Sequence, residues 1–144
     1  MGVAEAGGRA VSTPLDVLIA LCAVHCLGFA VFHAGFWKLF DWPRSLQPTG
    51  LVNRAVIQIL NLRLIWVLLC LAAALWWLPG EIAGTRLGRG LLAAMCLFWL
   101  GRTVEQVVFL RVNHRAVHAL TALFVLGAGL FGAAFVLAGM RAAG

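Results

Sequence analysis

Charged residues are scarce in this 144-residue chain, which has five acidic and 11 basic residues, or 11% of the total. A typical soluble domain is about a quarter charged. Hydrophobic residues instead make up 63% of the chain, and its mean hydropathy is +0.99. A soluble protein this short has too little interior to bury so much apolar surface. The composition therefore excludes a soluble enzyme, a disordered tail and a secreted disulfide scaffold, and it predicts an integral membrane protein.

The sequence also lacks the motifs of common hydrolytic and phosphate chemistry. It contains no GxSxG, no HExxH and no glycine-rich phosphate loop. Asp16 and Asp41 fall at opposite ends of the first apolar stretch, and Glu81 is distant in sequence from Glu105. No carboxylate pair is therefore expected, no residue is assigned a catalytic role, and an enzymatic function gains little support.

A basic patch is absent as well, although the formal net charge is +6. The basic residues occur singly between apolar stretches, whereas nucleic-acid binding needs a clustered basic surface. No nucleic-acid partner is therefore expected, and single arginines at helix ends suit contact with lipid headgroups. Lys38 is the only lysine among the 11 basic residues. This arginine bias, together with many Ala and Gly residues, favours a GC-rich bacterial genome and hence a bacterial inner membrane.

The four cysteines lie inside apolar stretches and form no CxxC motif; they are Cys22, Cys26, Cys70 and Cys96. Buried cysteine behaves as a small hydrophobic residue, which is the role expected here. Cys22, Cys26 and His33 fall near one face of a helix, so a soft-metal site is kept as an alternative.

Four apolar stretches are each long enough to cross a bilayer as a helix. They cover residues 15–40, 53–78, 87–110 and 115–139. The turn between the last two is so short that those helices must be antiparallel neighbours. No loop is long enough to hold a soluble domain. The sequence therefore predicts an all-α fold, an antiparallel four-helix transmembrane bundle that forms a single domain over residues 1–144.

Four spans place both termini on one side of the membrane, here called the termini side, together with the loop over residues 79–86. The opposite side, here called the loop side, carries the other two connections. Basic residues on the termini side are Arg9, Arg86, Arg89 and Arg141, and those on the loop side are Lys38, Arg44, Arg54, Arg111 and Arg115. The positive-inside rule favours, by this small margin, a cytoplasmic loop side and termini outside the cell.

Polar residues within the spans concentrate in the half of the membrane nearest the loop side, as judged from the helical rise. Polar groups are costly in lipid, so this segregation predicts a polar pocket between the helices. Arginine recognises oxyanions well, and the expected ligand is an anionic lipid or a small anionic molecule. The pocket candidates are His33, Gln58, Asn61, Arg102, Glu105, Gln106 and His118.

Two alternatives stay open at this stage. His33 and His118 lie at similar depths, so they are candidate metal ligands, and a haem b or quinone-associated redox subunit is conceivable, although no cofactor is the favoured expectation. The polar residues can also serve packing alone, in a structural or assembly subunit of a larger membrane complex. Small residues in the last span, such as Ala128 and Gly132, allow close helix packing within the bundle or in a homo-oligomer.

Overall fold

The computed structural model describes residues 13–143, and the regular secondary structure of this part of the chain is entirely helical, without strands. Four of its helices, α1, α4, α6 and α7, are long and apolar enough to cross a membrane. The predicted all-α class and the number of long apolar helices are therefore confirmed. Arg9, counted above on the termini side, lies outside the described residues. The helices are α1 (Pro14–Ala34), α2 (Phe36–Leu39), α3 (Trp42–Ser45), α4 (Leu51–Trp77), α5 (Pro79–Gly84), α6 (Arg86–Phe109) and α7 (Arg115–Ala143).

Local signals in the sequence set the start of two of these helices. Thr13 and Asp16 form a reciprocal cap at the start of α1, with the Thr13 N–H donating to the Asp16 carboxylate at 2.9 Å. At the start of α6 the Thr85 hydroxyl accepts a hydrogen bond from the Gly88 N–H at 2.9 Å. Both caps satisfy backbone donors that have no partner within the helix.

The structure divides the first predicted span and adds a helix that the sequence did not predict. The apolar run over residues 15–40 does not form one helix, because α1 ends before Gly35 and α2 follows it. Asp41 then takes a left-handed conformation with φ of 43°, which turns the chain into α3. Residues 79–84, expected as part of a loop, form α5 with Pro79 in its first turn, where proline is well tolerated.

Helix α1 is the centre of the packing arrangement. It contacts α4 on one side and α7 on another, and α6 packs against α7. Within the described residues no Cα atom of α4 lies within 8 Å of α6. The short α5 contacts α1, α4, α6 and α7, so it closes the termini-side end of the arrangement. Buried residues make up 39% of the apolar window of α1 and only 17% of that of α4, so α4 is the most peripheral of the four.

An aromatic cluster joins α1, α6 and α7 at the middle of the molecule. The Trp99 ring lies 4.6 Å from the Phe29 ring and 5.8 Å from the Phe124 ring, measured between centroids. Cys22 and Cys26 are buried in the same core, as expected of small apolar side chains. This cluster fixes the faces that α1 and α7 present to each other.

Gly127 permits a close approach between these helices. A Cβ atom added there would lie 2.5 Å from Cε1 of His25 and 2.9 Å from Cγ of Trp99. Only glycine therefore fits without displacing one of the two rings. Gly132 faces Cys96 on α6, whereas Gly129 faces open space, so the small residues of α7 serve packing on one side of the helix only.

Candidate functional site

The seven pocket candidates separate into three groups in the structure. One group ties α1 to α4, a second lies along α6, and the third is a single exposed residue on α7. The groups are His33, Gln58 and Asn61; Arg102, Glu105 and Gln106; and His118.

His33 and Asn61 are joined by two hydrogen bonds between α1 and α4. The Asn61 amide nitrogen donates to the backbone carbonyl of His33 at 3.0 Å, which turns the amide oxygen toward the imidazole ring. That oxygen is 2.7 Å from Nδ1 of His33, and because it can only accept, the ring nitrogen must carry the proton. Nε2 of neutral His33 is then the free acceptor. Asn61 is only 6% exposed, so this pair is a polar contact inside an apolar interface.

Gln58 lies one turn before Asn61 and bonds to the end of the first span. Its side-chain oxygen accepts from the Trp37 indole N–H at 3.2 Å, and its nitrogen donates to the Arg54 carbonyl at 3.2 Å. Gln58 therefore ties α2 to α4, next to the contact that His33 and Asn61 make between α1 and α4.

Arg102 and Glu105 form an ion pair within α6. The guanidinium carbon of Arg102 also lies 5.2 Å from the centroid of the Phe124 ring, in cation–π geometry. Phe124 belongs to α7, so this cation–π contact links an α6 candidate to α7.

Two buried donors on α6 have no acceptor within the described residues. They are the side-chain nitrogen of Gln106, a residue only 6% exposed, and the indole nitrogen of Trp99. They lie two turns apart, and hence on the same side of the helix. A buried donor without a partner costs about 1–3 kcal/mol, so this side of α6 favours an acceptor from a ligand. Trp99 was not among the predicted residues, because its sequence context is apolar.

His118 is exposed on α7, and its Nε2 is 2.9 Å from the side-chain oxygen of Asn113. His33 and His118 therefore each bond to a different asparagine. The described part of the chain contains no group of three or more His, Cys, Asp or Glu residues arranged to hold a metal ion. The haem b alternative, with His33 and His118 as ligands, stays a prediction.

A groove of about 620 Å³ lies between α1 and α7 in the loop-side half of the molecule. Its volume is within the range typical of small-molecule sites. The sequence did not predict this groove, because it depends on which faces of α1 and α7 meet and each lining segment is simply apolar. The lining residues are His25, Gly28, Phe29, Phe32, Leu39, Phe40, Leu110, Ala116, Val117, Ala119, Leu120 and Leu123.

His25 is the one polar side chain in this lining. The backbone carbonyl of Leu123 lies 3.0 Å from Nε2 of His25, so Nε2 carries the proton and donates it across the α1–α7 contact. The imidazole ring packs edge-on against Trp99, with centroids 4.6 Å apart. His25 therefore closes the inner end of the groove and is already engaged in holding α1 to α7.

Three basic residues are adjacent in sequence to residues that line the groove. Lys38 precedes Leu39, Arg111 follows Leu110, and Arg115 precedes Ala116. All three basic side chains are exposed, and none of them forms an ion pair within residues 13–143. The groove thus has apolar walls, and exposed basic residues flank its lining segments in the sequence.

Comparison with known proteins finds no matching family model, no similar curated protein and no similar solved structure. Function is therefore inferred from the chemistry of this chain's own residues.

Proposed function

We propose that α1, α4, α6 and α7 cross a lipid bilayer as antiparallel neighbours, in a bacterial inner membrane with both termini outside. The length and apolar surface of the four helices support insertion. The bonds between His33, near the end of α1, and Asn61, in the first half of α4, support opposite directions for these two helices. The small excess of basic residues on the loop side supports the orientation.

We infer that the protein binds an anionic membrane lipid. In this account the groove between α1 and α7 holds an acyl chain, and Lys38, Arg111 and Arg115 contact the phosphate. The observation that carries the proposal is the groove itself, which is apolar along its length and has three exposed basic residues next in sequence to its lining residues. An amphiphile with a hydrocarbon chain and an anionic headgroup matches both properties.

In this account the flanking basic residues supply the selectivity among lipids. Lipid tails are as apolar as the groove walls, so transfer of a tail from bilayer to groove is not driven by the hydrophobic effect. Shape and headgroup contacts must then decide which lipid stays. Arginine offers a planar set of donors that matches phosphate oxygens, and each basic residue near an anionic surface contributes about 1 kcal/mol.

The predicted polar pocket is a second candidate site for a small anionic ligand. The unpaired nitrogen of Gln106 and the indole nitrogen of Trp99 favour it, because both are buried donors on the side of α6 that also carries Arg102. The redox and structural-subunit alternatives stay predictions.

Gly28 allows a direct test of the groove. A Cβ atom added at Gly28 meets nothing within 4 Å, so Gly28→Leu should fill the groove without disturbing the backbone. We expect native mass spectrometry of the variant, after reconstitution with phosphatidylglycerol, to show about tenfold less retained lipid, equivalent to about 1.4 kcal/mol. Gly129→Leu is the matched control, since Gly129 also faces open space but lies outside the groove.

The headgroup contribution is measured in the same experiment by changing Arg111 and Arg115 together to Gln. This double variant should retain phosphatidylcholine as the unaltered chain does and lose most of its preference for phosphatidylglycerol, because only Lys38 remains. Equal lipid retention by the Gly28→Leu and Gly129→Leu proteins would show that the groove is not the lipid site.

A further inference from the structure

Arg63 is an exposed charge near the middle of a helix apolar enough to cross a membrane. Helix α4 has 27 residues, and Arg63 lies about 18 Å along it from Leu51. The neighbouring turns on the same side carry exposed apolar side chains, Ile59 and Trp66, the latter 63% exposed. Arg63 therefore projects from the molecule at the depth of the bilayer centre if α4 spans the membrane.

The described part of the chain supplies no anionic partner for Arg63. The ion pairs found there join Arg44 to Asp41 and Arg102 to Glu105, and no side-chain hydrogen bond involves Arg63. A charged side chain at the centre of a transmembrane helix costs about 2.5–3.5 kcal/mol on insertion scales. Such residues are usually paired in the assembled protein.

A second copy of the same chain does not supply the missing charge. A symmetric contact centred on α4 would place Arg63 beside Arg63 of the other copy, where like charges repel. Glu105 is an exposed carboxylate on a long helix, but it lies only about 6 Å from the loop-side end of α6. It is thus too close to the membrane surface to meet Arg63.

We propose that the exposed face of α4 around Arg63 binds a transmembrane helix of a different protein, one that carries a carboxylate near its middle. Arg63 supplies the charge that selects this partner, and Trp66, on the next turn, supplies apolar contact area. Arginine and tryptophan are the residue types that most often dominate binding energy at interfaces. The position of α4 at the periphery, with few of its residues buried, leaves this face free for the partner.

A synthetic transmembrane peptide tests the proposal with the full chain in phosphatidylcholine vesicles. The probe is a Leu/Ala helix with one central Glu and an adjacent dansyl group, and its matched control has Gln in place of Glu. Energy transfer from tryptophan to dansyl reports association, because Trp66 lies on the proposed contact face. We expect the Glu peptide to bind about tenfold more tightly than the Gln peptide, equivalent to about 1.4 kcal/mol.

Two variants assign the preference to Arg63. Arg63→Gln should abolish the difference between the two peptides, whereas Arg54→Gln, which alters an arginine close to the start of α4, should preserve it. Equal binding of both peptides by the unaltered chain would overturn the proposal, even if the Arg63→Gln protein does not fold. A preference that survives Arg63→Gln, or dimerisation of the chain that depends on Arg63, would also overturn it.

Discussion

His25 and Gly127 together set the spacing of α1, α6 and α7. The imidazole of His25 donates to a carbonyl of α7 and packs against Trp99 of α6, and the missing side chain at Gly127 makes the room for it. The His25 ring also forms the inner wall of the groove. The depth of the groove therefore depends on a contact between α1 and α7 that only glycine permits.

Replacement of Gly127 by Ala should destabilise the protein by about 1–3 kcal/mol, because the added methyl group overpacks the contact with His25 and Trp99. Thermal unfolding in detergent, followed by circular dichroism, measures this loss. Gly129→Ala is the control, since a Cβ atom there meets open space, and it should be neutral or slightly stabilising. Similar melting temperatures for the two variants would contradict the packing described at Gly127.

At the scale of helices, the best-defined polar contact is the one between His33 and Asn61. It joins α1 to α4 by two hydrogen bonds at a position where the surrounding contacts are apolar. Interhelical hydrogen bonds in membranes contribute modestly on average, but removal of one partner leaves the other buried and unsatisfied. The pair therefore specifies how α1 and α4 face each other more than it adds to stability.

The Asn61→Leu variant should lose about 1–3 kcal/mol of unfolding free energy, because Nδ1–H of His33 and its backbone carbonyl lose their partner. Reversible unfolding in mixed micelles measures the change. Gln58→Leu removes longer hydrogen bonds from a half-buried residue and should cost only about 0.6 kcal/mol. If Asn61→Leu is as stable as the unaltered chain, the two hydrogen bonds do not hold these helices together.

The helices themselves were largely predictable, and the exceptions have physical causes. Apolar length gave the bounds of α4 and α6 to within two residues, since each begins and ends where the apolar run does. The break at Gly35 was missed because aromatic residues continue the apolar pattern into α2. Helix α5 was missed because Pro79 and Gly80 favour a turn, although proline is equally suited to the first turn of a helix.

At the scale of the whole molecule, the sequence predicts that polar residues concentrate toward the loop side, but it does not predict the groove. Spacing along single helices predicts that the polar residues lie toward the loop side, and this stays a prediction. It did not show that His33 pairs with Asn61, since that contact depends on the rotation of one helix against another. The pair of Arg102 and Glu105 lies within α6, where residues three apart share a face. The groove arises from the same rotations, and therefore only the structure shows it.

The two proposed binding surfaces are on different parts of the molecule. The lipid groove lies between α1 and α7, whereas the face around Arg63 belongs to α4, which makes no backbone contact with α7 among the described residues. A bound lipid and a bound helix therefore need not compete for the same residues. Loss of one function by mutation should leave the other measurable.

Photo-cross-linking with a phosphatidylglycerol that carries a diazirine near the end of one acyl chain tests the central claim most directly. The account predicts that labelled peptides map to Gly28–Phe32 on α1 and to Ala116–Leu123 on α7, and that Gly28→Leu removes this labelling. A phosphatidylcholine probe with the same chain should label these segments less. Labelling spread evenly over outward-facing residues such as Trp66 and Leu97, and unchanged by Gly28→Leu, would contradict a lipid site in the groove.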